Sequence, residues 1–170
     1  MKKGISLFYI LTLLLLVAQS SLFAGASLEV TPHDVKVQAG SEFTVSINLE
    51  SDTSIMSLMA ILQWDDSVIE PVEYIVPTEF DDPDNISTGW IEDSTMAIIG
   101  VAKMFANAIV APYDGTIAQI KFKAKADAEV GDSTLVYLSL DSDLYQAADI
   151  GVQTVDMDPV QTNLTDGEVT

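Results

Sequence analysis

The clearest pattern of hydrophobic and polar positions lies in residues 55–70, which read I-M-S-L-M-A-I-L-Q-W-D-D-S-V-I-E. Successive side chains of a β-strand point to opposite faces. One face would carry Leu58, Ala60, Leu62 and Trp64, and the other Ser57, Met59, Ile61 and Gln63. A strand that is apolar on nearly both faces has to be covered on both. We predict that the first face lies in the core and that a partner covers the second.

The remainder of the chain shows further short strand patterns separated by Gly, Pro and Asp turns. Residues 96–102 are again apolar or small on both faces, and residues 116–125 alternate most regularly, with lysines on the outward side. Other predicted strands cover 28–31, 43–49, 68–76, 90–92, 135–140, 151–155 and the last residues, with an interruption at Pro71. Eight or nine short strands with almost no helical period indicate an all-β sandwich of one domain.

The first residues have the pattern of an export signal. Lys2 and Lys3 precede an apolar run over 5–17, and small residues follow at Ala24-Gly25-Ala26. A cationic start, an apolar middle and an A-x-A site are what signal peptidase requires. We predict a signal peptide over 1–26, cleavage after Ala26, and a secreted domain over 27–170. An uncleaved anchor helix is the competing interpretation, which the A-x-A site disfavours.

Charge excludes one class of partner. The chain has a net charge of −19, and all seven of its basic residues are lysines. Nucleic-acid affinity depends on neutralising phosphates with basic side chains, so a nucleic-acid partner is excluded, and an anionic membrane surface is disfavoured after signal cleavage. Without any Cys, the exported domain must be held together by packing. We interpret the acidic excess as a source of solubility and expect a monomer.

The sequence contains little that indicates catalysis or a bound metal. His33 is the only His, and it lies in a loop beside Pro32, where we expect a surface side chain. Acidic loops at 81–85 and 141–143 offer oxygen ligands, but neither has the twelve-residue spacing of an EF-hand. No phosphate-binding glycine loop is present. We therefore predict a protein that is not an enzyme and holds no metal or cofactor.

Three segments in order carry a family resemblance. L-Q-W-D-D-S-V-I-E-P-V, D-G-T-I-A-Q-I-K-F-K-A-K-A-D-A-E-V-G and the terminal D-G-E-V-T resemble successive motifs of cohesin domains, the dockerin-binding modules of cellulosome-type scaffold proteins. The resemblance covers residues 28–170. It implies a nine-stranded β-sandwich with jelly-roll topology that binds dockerins, the calcium-loaded helical modules of polysaccharide-degrading enzymes. Calcium is then expected on the dockerin partner and not on this chain.

The resemblance also implies a docking surface on one flat sheet face. Matched by position, its contacting residues would be Ser57, Met59, Ile61, Ile91, Ile98, Gly100 and Ala102. Met59, Ile61 and Ile98 are the expected anchors. Gly100 and Ala102 are small enough to let a partner helix approach closely. Ser57 and Met59 make this face more apolar than in many cohesins, where polar residues stand at the matching positions.

Two alternatives remain open at this point. Sandwiches of this kind also bind sugars through exposed aromatic rings, and the candidates for a carbohydrate-binding module are Trp90, Tyr74, Tyr113 and Tyr145. Four scattered rings do not form a platform, and half-buried packing is the competing interpretation for each. The second alternative is that a loop of the chain itself, such as residues 77–89, covers the two-sided strands.

Overall fold

The computed structural model describes residues 25–80, 85–87, 89–103, 108–129, 131–141, 151–154 and 160–170. These residues form thirteen strands and one turn of 3-10 helix at Thr78–Phe80. The strands are β1 (Gly25–Thr31), β2 (Asp34–Val35), β3 (Glu42–Ser51), β4 (Ile55–Gln63), β5 (Ile69–Ile75), β6 (Asn85–Ser87), β7 (Trp90–Ile91), β8 (Met96–Lys103), β9 (Tyr113–Ala124), β10 (Thr134–Ser139), β11 (Gly151–Thr154), β12 (Gln161–Thr165) and β13 (Gly167–Val169).

Two sheets contain these strands. The five-stranded sheet has the order β12-β1-β3-β9-β5, and the larger sheet has the order β2-β13-β10-β4-β8-β6, with β11 paired to β4 and β7 paired to β8. Most connections between consecutive strands cross from one sheet to the other, as the predicted jelly roll requires. The prediction of an all-β sandwich is confirmed. The strand number exceeds nine because several strands have only two or three residues.

The core lies between the two sheets and follows the alternation of the longest strands. On β4 the inward residues Leu58, Ala60 and Leu62 are buried, as the sequence pattern predicted. Phe122 of β9 stacks on Phe43 at 5.8 Å between ring centroids and forms a T-shaped contact with Trp64 at 4.8 Å between ring centroids. β-branched and aromatic side chains pack well on such a pleated, half-buried surface. Because successive side chains point to opposite faces, alternation along each strand determines which of them enter the core.

A pair of turns fixes the position of Trp64 at the end of β4. The Trp64 indole N–H donates to the carbonyl oxygen of Ser94 at 2.6 Å. The Ser94 hydroxyl in turn donates to the Asp66 carboxylate at 2.7 Å. A buried indole needs a partner for its N–H. The turn at 93–95, which connects β7 to β8, therefore also supports the core.

Most predicted strands are present, with different ends. The interruption expected at Pro71 is a shift of register between β5 and β9 at Pro71 and Glu73. Strands β2, β6 and β12 were not predicted. Between β8 and β9, where residues 104–107 lie outside the described residues, Ile109 forms an isolated bridge with Ile55. The predicted leader also lies outside the described residues, except for Gly25 and Ala26 of β1.

Candidate protein-binding face

The outward side of the larger sheet is the candidate site. Directly paired residues of antiparallel strands point to the same side of a sheet, so the register gives the composition of this side. We call the part of this side that β4, β7, β8 and the β4-paired residues of β10 form the outer face, and its members are Ser57, Met59, Ile61, Gln63, Trp90, Met96, Ile98, Gly100, Ala102, Tyr137 and Ser139. None of these residues is charged.

The pairing arranges the outer face in rows across the strands. Ile61 of β4 lies opposite Ile98 of β8 and opposite Ser139 of β10, and Ile98 in turn lies opposite Trp90. The next row along β4 pairs Met59 with Gly100. Six of the seven predicted site residues, all except Ile91, are therefore brought onto one side of two neighbouring strands.

The central pair of this face is covered. Ile61 and Ile98 are each 0% exposed, yet neither belongs to the cluster of core side chains between the sheets. Because the structure contains a single chain, atoms of that chain cover both side chains. The expectation that these two residues are exposed is therefore not met in the full chain. A partner can reach them only if the covering atoms are displaced.

Accessible residues surround the covered pair. Trp90 and Tyr137 are each 37% exposed, and Ser57, Met59 and Ala102 are half-buried. The Ser57 hydroxyl donates to the Gln153 side-chain oxygen of β11 at 3.1 Å. The outer face therefore offers a partner two aromatic rings, a thioether and a small hydrogen-bonded polar group around an apolar centre.

The register separates Ile91 from the other six predicted site residues. Ile91 lies opposite Ala97, which belongs to the core cluster, so Ile91 points to the inner side of the sheet. Its neighbour Trp90 lies opposite Ile98 and takes the outward position instead. The sequence pattern predicted a strand at residues 90–92, but it did not determine which of Trp90 and Ile91 points outward. A shift of one residue exchanges the two faces of a strand.

Met96 and Tyr137 also lie on this face, although neither was predicted there from the sequence. Tyr137 lies in a strand that was predicted, and it alternates there with the buried Val136 and Leu138. Its outward orientation could have been read from that alternation. Its position beside β4 could not, because β10 follows β4 by more than seventy residues and pairs with it only in the fold.

Acidic side chains border the outer face. The Trp90 indole N–H donates to Glu92, which is exposed at the end of β7. Asp93 follows in the turn. The backbone N–H of Thr95 donates a hydrogen bond to its carboxylate, the Thr95 hydroxyl donates a second one with a smaller effect, and both lower the pKa of Asp93. Asp141, beyond β10, is exposed. An uncharged centre with an acidic border is complementary to an apolar partner surface that carries Lys or Arg at its edges.

The other candidate residues do not assemble a second site. His33 is exposed, as expected for a surface histidine, and its Nε2 atom lies 2.6 Å from a carboxylate oxygen of Glu29. Among the described residues, no three His, Cys, Asp or Glu side chains form a metal-binding group. Asp81, Asp82, Asp84 and Asp143 lie outside the described residues, so the interpretation of these loops stays a prediction.

Two rings of the carbohydrate alternative pack against the core instead of forming a platform. Tyr74 and Tyr113 are both partly buried against the core cluster. The Tyr113 hydroxyl donates to Glu79, and burial, followed by this hydrogen bond, raises the pKa of Tyr113. Tyr145 lies outside the described residues. Trp90 alone of the three described candidates lies on the outer face, which does not favour sugar binding there.

The fold and this face define a two-sheet β-sandwich with an uncharged, largely apolar sheet surface. Residues 28–170 match the model of the cohesin domain. The chain therefore belongs to the cohesin family, as the sequence resemblance indicated. None of the curated proteins compared with the sequence matches it. In the described part of the chain, no helix has the length and hydropathy needed to cross a bilayer.

Solved cohesin structures share this fold at low sequence identity. The sixth cohesin of scaffoldin B from Acetivibrio cellulolyticus, solved in complex with a dockerin, is 18% identical with a TM-score of 0.69, covering 86% of this chain and 98% of that chain. The OlpC cohesin of a type I cohesin–dockerin complex from Clostridium thermocellum is 16% identical with a TM-score of 0.64, covering 86% and 93%. A non-cellulosomal cohesin from the archaeon Archaeoglobus fulgidus is 17% identical with a TM-score of 0.61, covering 86% and 92%.

Proposed function

We propose that this protein is a secreted, non-catalytic module that binds a dockerin-bearing protein through the outer face. The observation that carries the proposal is the composition of β4 and β8, which present an uncharged, largely apolar surface on the side away from the core. Membership of the cohesin family supports it, and two of the similar structures are complexes with dockerins. The partner would be an extracellular enzyme or scaffold that acts in polysaccharide breakdown.

We assign the first contacts to the accessible residues of the face. A few large, well-packed side chains usually provide most of the free energy of an interface, and aromatic residues are frequent among them. Met59, Trp90 and Tyr137 have that role here. Gly100 and Ala102, on β8 beside Met59, leave room for the backbone of a helix. Ile61 and Ile98 would join the interface after the atoms that cover them are displaced.

Calcium enters this proposal only through the partner. Dockerins are expected to carry the calcium ions that order their helices, whereas the described part of this chain holds no group of metal ligands. Binding should therefore be lost when calcium is removed by a chelator and should return when calcium is added. The folding of the present chain should not respond to either treatment.

The decisive experiment is a titration of the exported protein with purified dockerin modules encoded in the same genome, by calorimetry, with and without chelator. Met59→Asp should weaken binding by at least about 2 kcal/mol, roughly thirtyfold, because it introduces a charge into a surface that becomes desolvated. The matched control is Thr44→Asp, at an exposed position of β3 in the other sheet. It should leave the affinity unchanged.

Three results would reject the proposal. The first is that no dockerin from the genome binds. The second is that Met59→Asp and Thr44→Asp weaken binding equally. The third is release of soluble sugar from a polysaccharide by the purified chain, which would make the protein an enzyme. Thermal unfolding of each variant must accompany the titrations, so that a loss of binding is not confused with a loss of folding.

A further inference from the structure

Strand β1 begins with two residues that the sequence analysis assigned to the signal peptide. Gly25 pairs with Gln161, and Ala26 pairs with both Thr162 and Ser51. Ala26 is also buried in the core cluster. Cleavage after Ala26 would therefore remove two residues that the fold uses, one of them from the core.

The nitrogen of Gly25 already faces a carboxylate. It donates to the Oδ1 atom of Asp52 at 2.8 Å, and the N–H of Asp52 donates to the Gly25 carbonyl at 3.4 Å. Asp52 is exposed, and the groove around this contact is also lined by Glu50 and Asn163. A free ammonium at position 25 would keep the hydrogen bond and add a full positive charge beside Asp52.

We propose that the mature protein begins at Gly25 and that its new α-ammonium forms an ion pair with Asp52. The proposal rests on the export proposed above. A host signal peptidase would hydrolyse the Ala24–Gly25 peptide bond, with water supplying hydroxide to the Ala24 carbonyl carbon and a proton to the Gly25 nitrogen. Ala24 is the small residue directly before this cut, while Leu22 stands two positions earlier where the A-x-A pattern has a second small residue. This cut leaves β1 complete, whereas a cut after Ala26 does not.

The first test determines the mature N-terminus. The full chain, with its own leader, is expressed in an exporting bacterial host, and the protein recovered outside the cytoplasm is examined by intact mass and N-terminal sequencing. We expect it to begin at Gly25. A protein that begins at Ser27 would overturn this inference and leave dockerin binding unaffected. A chain retained in the cell with its leader would overturn both this inference and the proposed export.

The second test examines the ion pair in the exported protein. Asp52→Asn and acylation of the α-amine should each lower the midpoint of thermal unfolding, and acylation of the Asp52→Asn protein should lower it no further. The matched control is Glu50→Gln, because Glu50 lines the same groove but is paired with Ser27. It should leave the midpoint unchanged. Equal effects of the Asp52 and Glu50 variants, or additive effects of Asp52→Asn and acylation, would overturn the ion pair.

Discussion

The two outward surfaces of the sandwich differ in composition, although the inward side chains of both sheets alternate with equal regularity. On the five-stranded sheet, β3 and β9 present polar side chains that bond to each other. Gln119 donates to Ser46 at 3.0 Å, and Lys121 lies 3.4 Å from Glu42. On the larger sheet, β4 and β8 present Met59, Ile61 and Ile98 at equivalent outward positions.

The difference shows what alternation can and cannot indicate. One surface satisfies its own polar groups and faces water, as an antiparallel sheet with a single covered side usually does. The other surface carries apolar side chains, some exposed and some covered. Removing such side chains from water is favourable. Alternation predicts the inward residues of both sheets equally well. Only the departure from alternation on β4 and β8 distinguishes the surface that needs a cover.

The largest expected effect separates the two surfaces by stability. Ile98→Ala should lower the free energy of unfolding by about 2–5 kcal/mol, because it removes a fully buried side chain. Gln119→Ala, on the polar surface, should cost about 1 kcal/mol or less, since it removes one partly exposed hydrogen bond. Urea unfolding measures both. Equal, small losses would show that the centre of the outer face is open in solution.

The next effect concerns recognition. Trp90→Ala should weaken dockerin binding by about 2 kcal/mol, since exposed aromatic rings are frequent anchors at interfaces. Val72→Ala is the matched control, because Val72 is an exposed apolar residue of β5 in the other sheet. It should not alter the affinity. If the two variants bind alike, the partner does not use the β7 side of the outer face.

A smaller effect is expected from the charged side chains of the polar surface. Lys121→Met removes an exposed ion pair with Glu42 and should change the free energy of unfolding by less than about 1 kcal/mol. Dockerin binding should be unchanged. Thermal unfolding at low and high salt measures the first quantity, and calorimetric titration measures the second. A marked loss of affinity would assign part of the docking surface to the five-stranded sheet.

The smallest effect is a pH dependence at the turn beside Trp90. The hydrogen bonds from Thr95 lower the pKa of Asp93 from its ordinary value of 3.8. A carboxylate with a lowered folded-state pKa stabilises the fold above its unfolded-state pKa, and this contribution is lost as the pH falls through the folded-state value. Asp93→Asn should therefore reduce the loss of thermal stability below about pH 4.

The control for this prediction is Thr95→Val, which removes the hydroxyl and keeps the backbone N–H. The backbone hydrogen bond is the larger cause of the lowered pKa, so this variant should retain most of the acid dependence. An Asp93→Asn protein whose stability falls with acid as steeply as that of the unchanged chain would contradict the assignment. The effect should be small because Asp93 is exposed.

The sequence predicted the sandwich and the inward residues because these depend on local alternation. Trp64 lies on the face that alternation predicted to be inward, Ile120 and Phe122 alternate with the outward lysines of residues 116–125, and all three are buried. The family resemblance then placed six outward residues on one surface. Both successes come from long strands, where one error in register would conflict with many neighbouring positions.

The facing of Ile91, opposite to that of the other predicted site residues, has a physical cause. Strand β7 has two residues, so it carries no alternation from which its facing could be read. Its register is determined by the turn, in which the N–H groups of Glu92 and Asp93 both donate to the carbonyl of Met96. The burial of Ile61 and Ile98 has a different cause. It depends on which atoms of the chain fold back over the sheet, and a strand pattern contains no information about that.

The parallel pairing of β1 with β12 has a consequence for biogenesis. If the chain is exported as proposed, β1 is the first strand to emerge from the membrane, and it finds its edge partner only after more than a hundred further residues have followed. Until then one flank of β1 has open backbone donors and acceptors, which invite pairing between nascent chains. In that case the five-stranded sheet can close only after translocation is almost complete, and chaperones that act on the released chain should determine its yield.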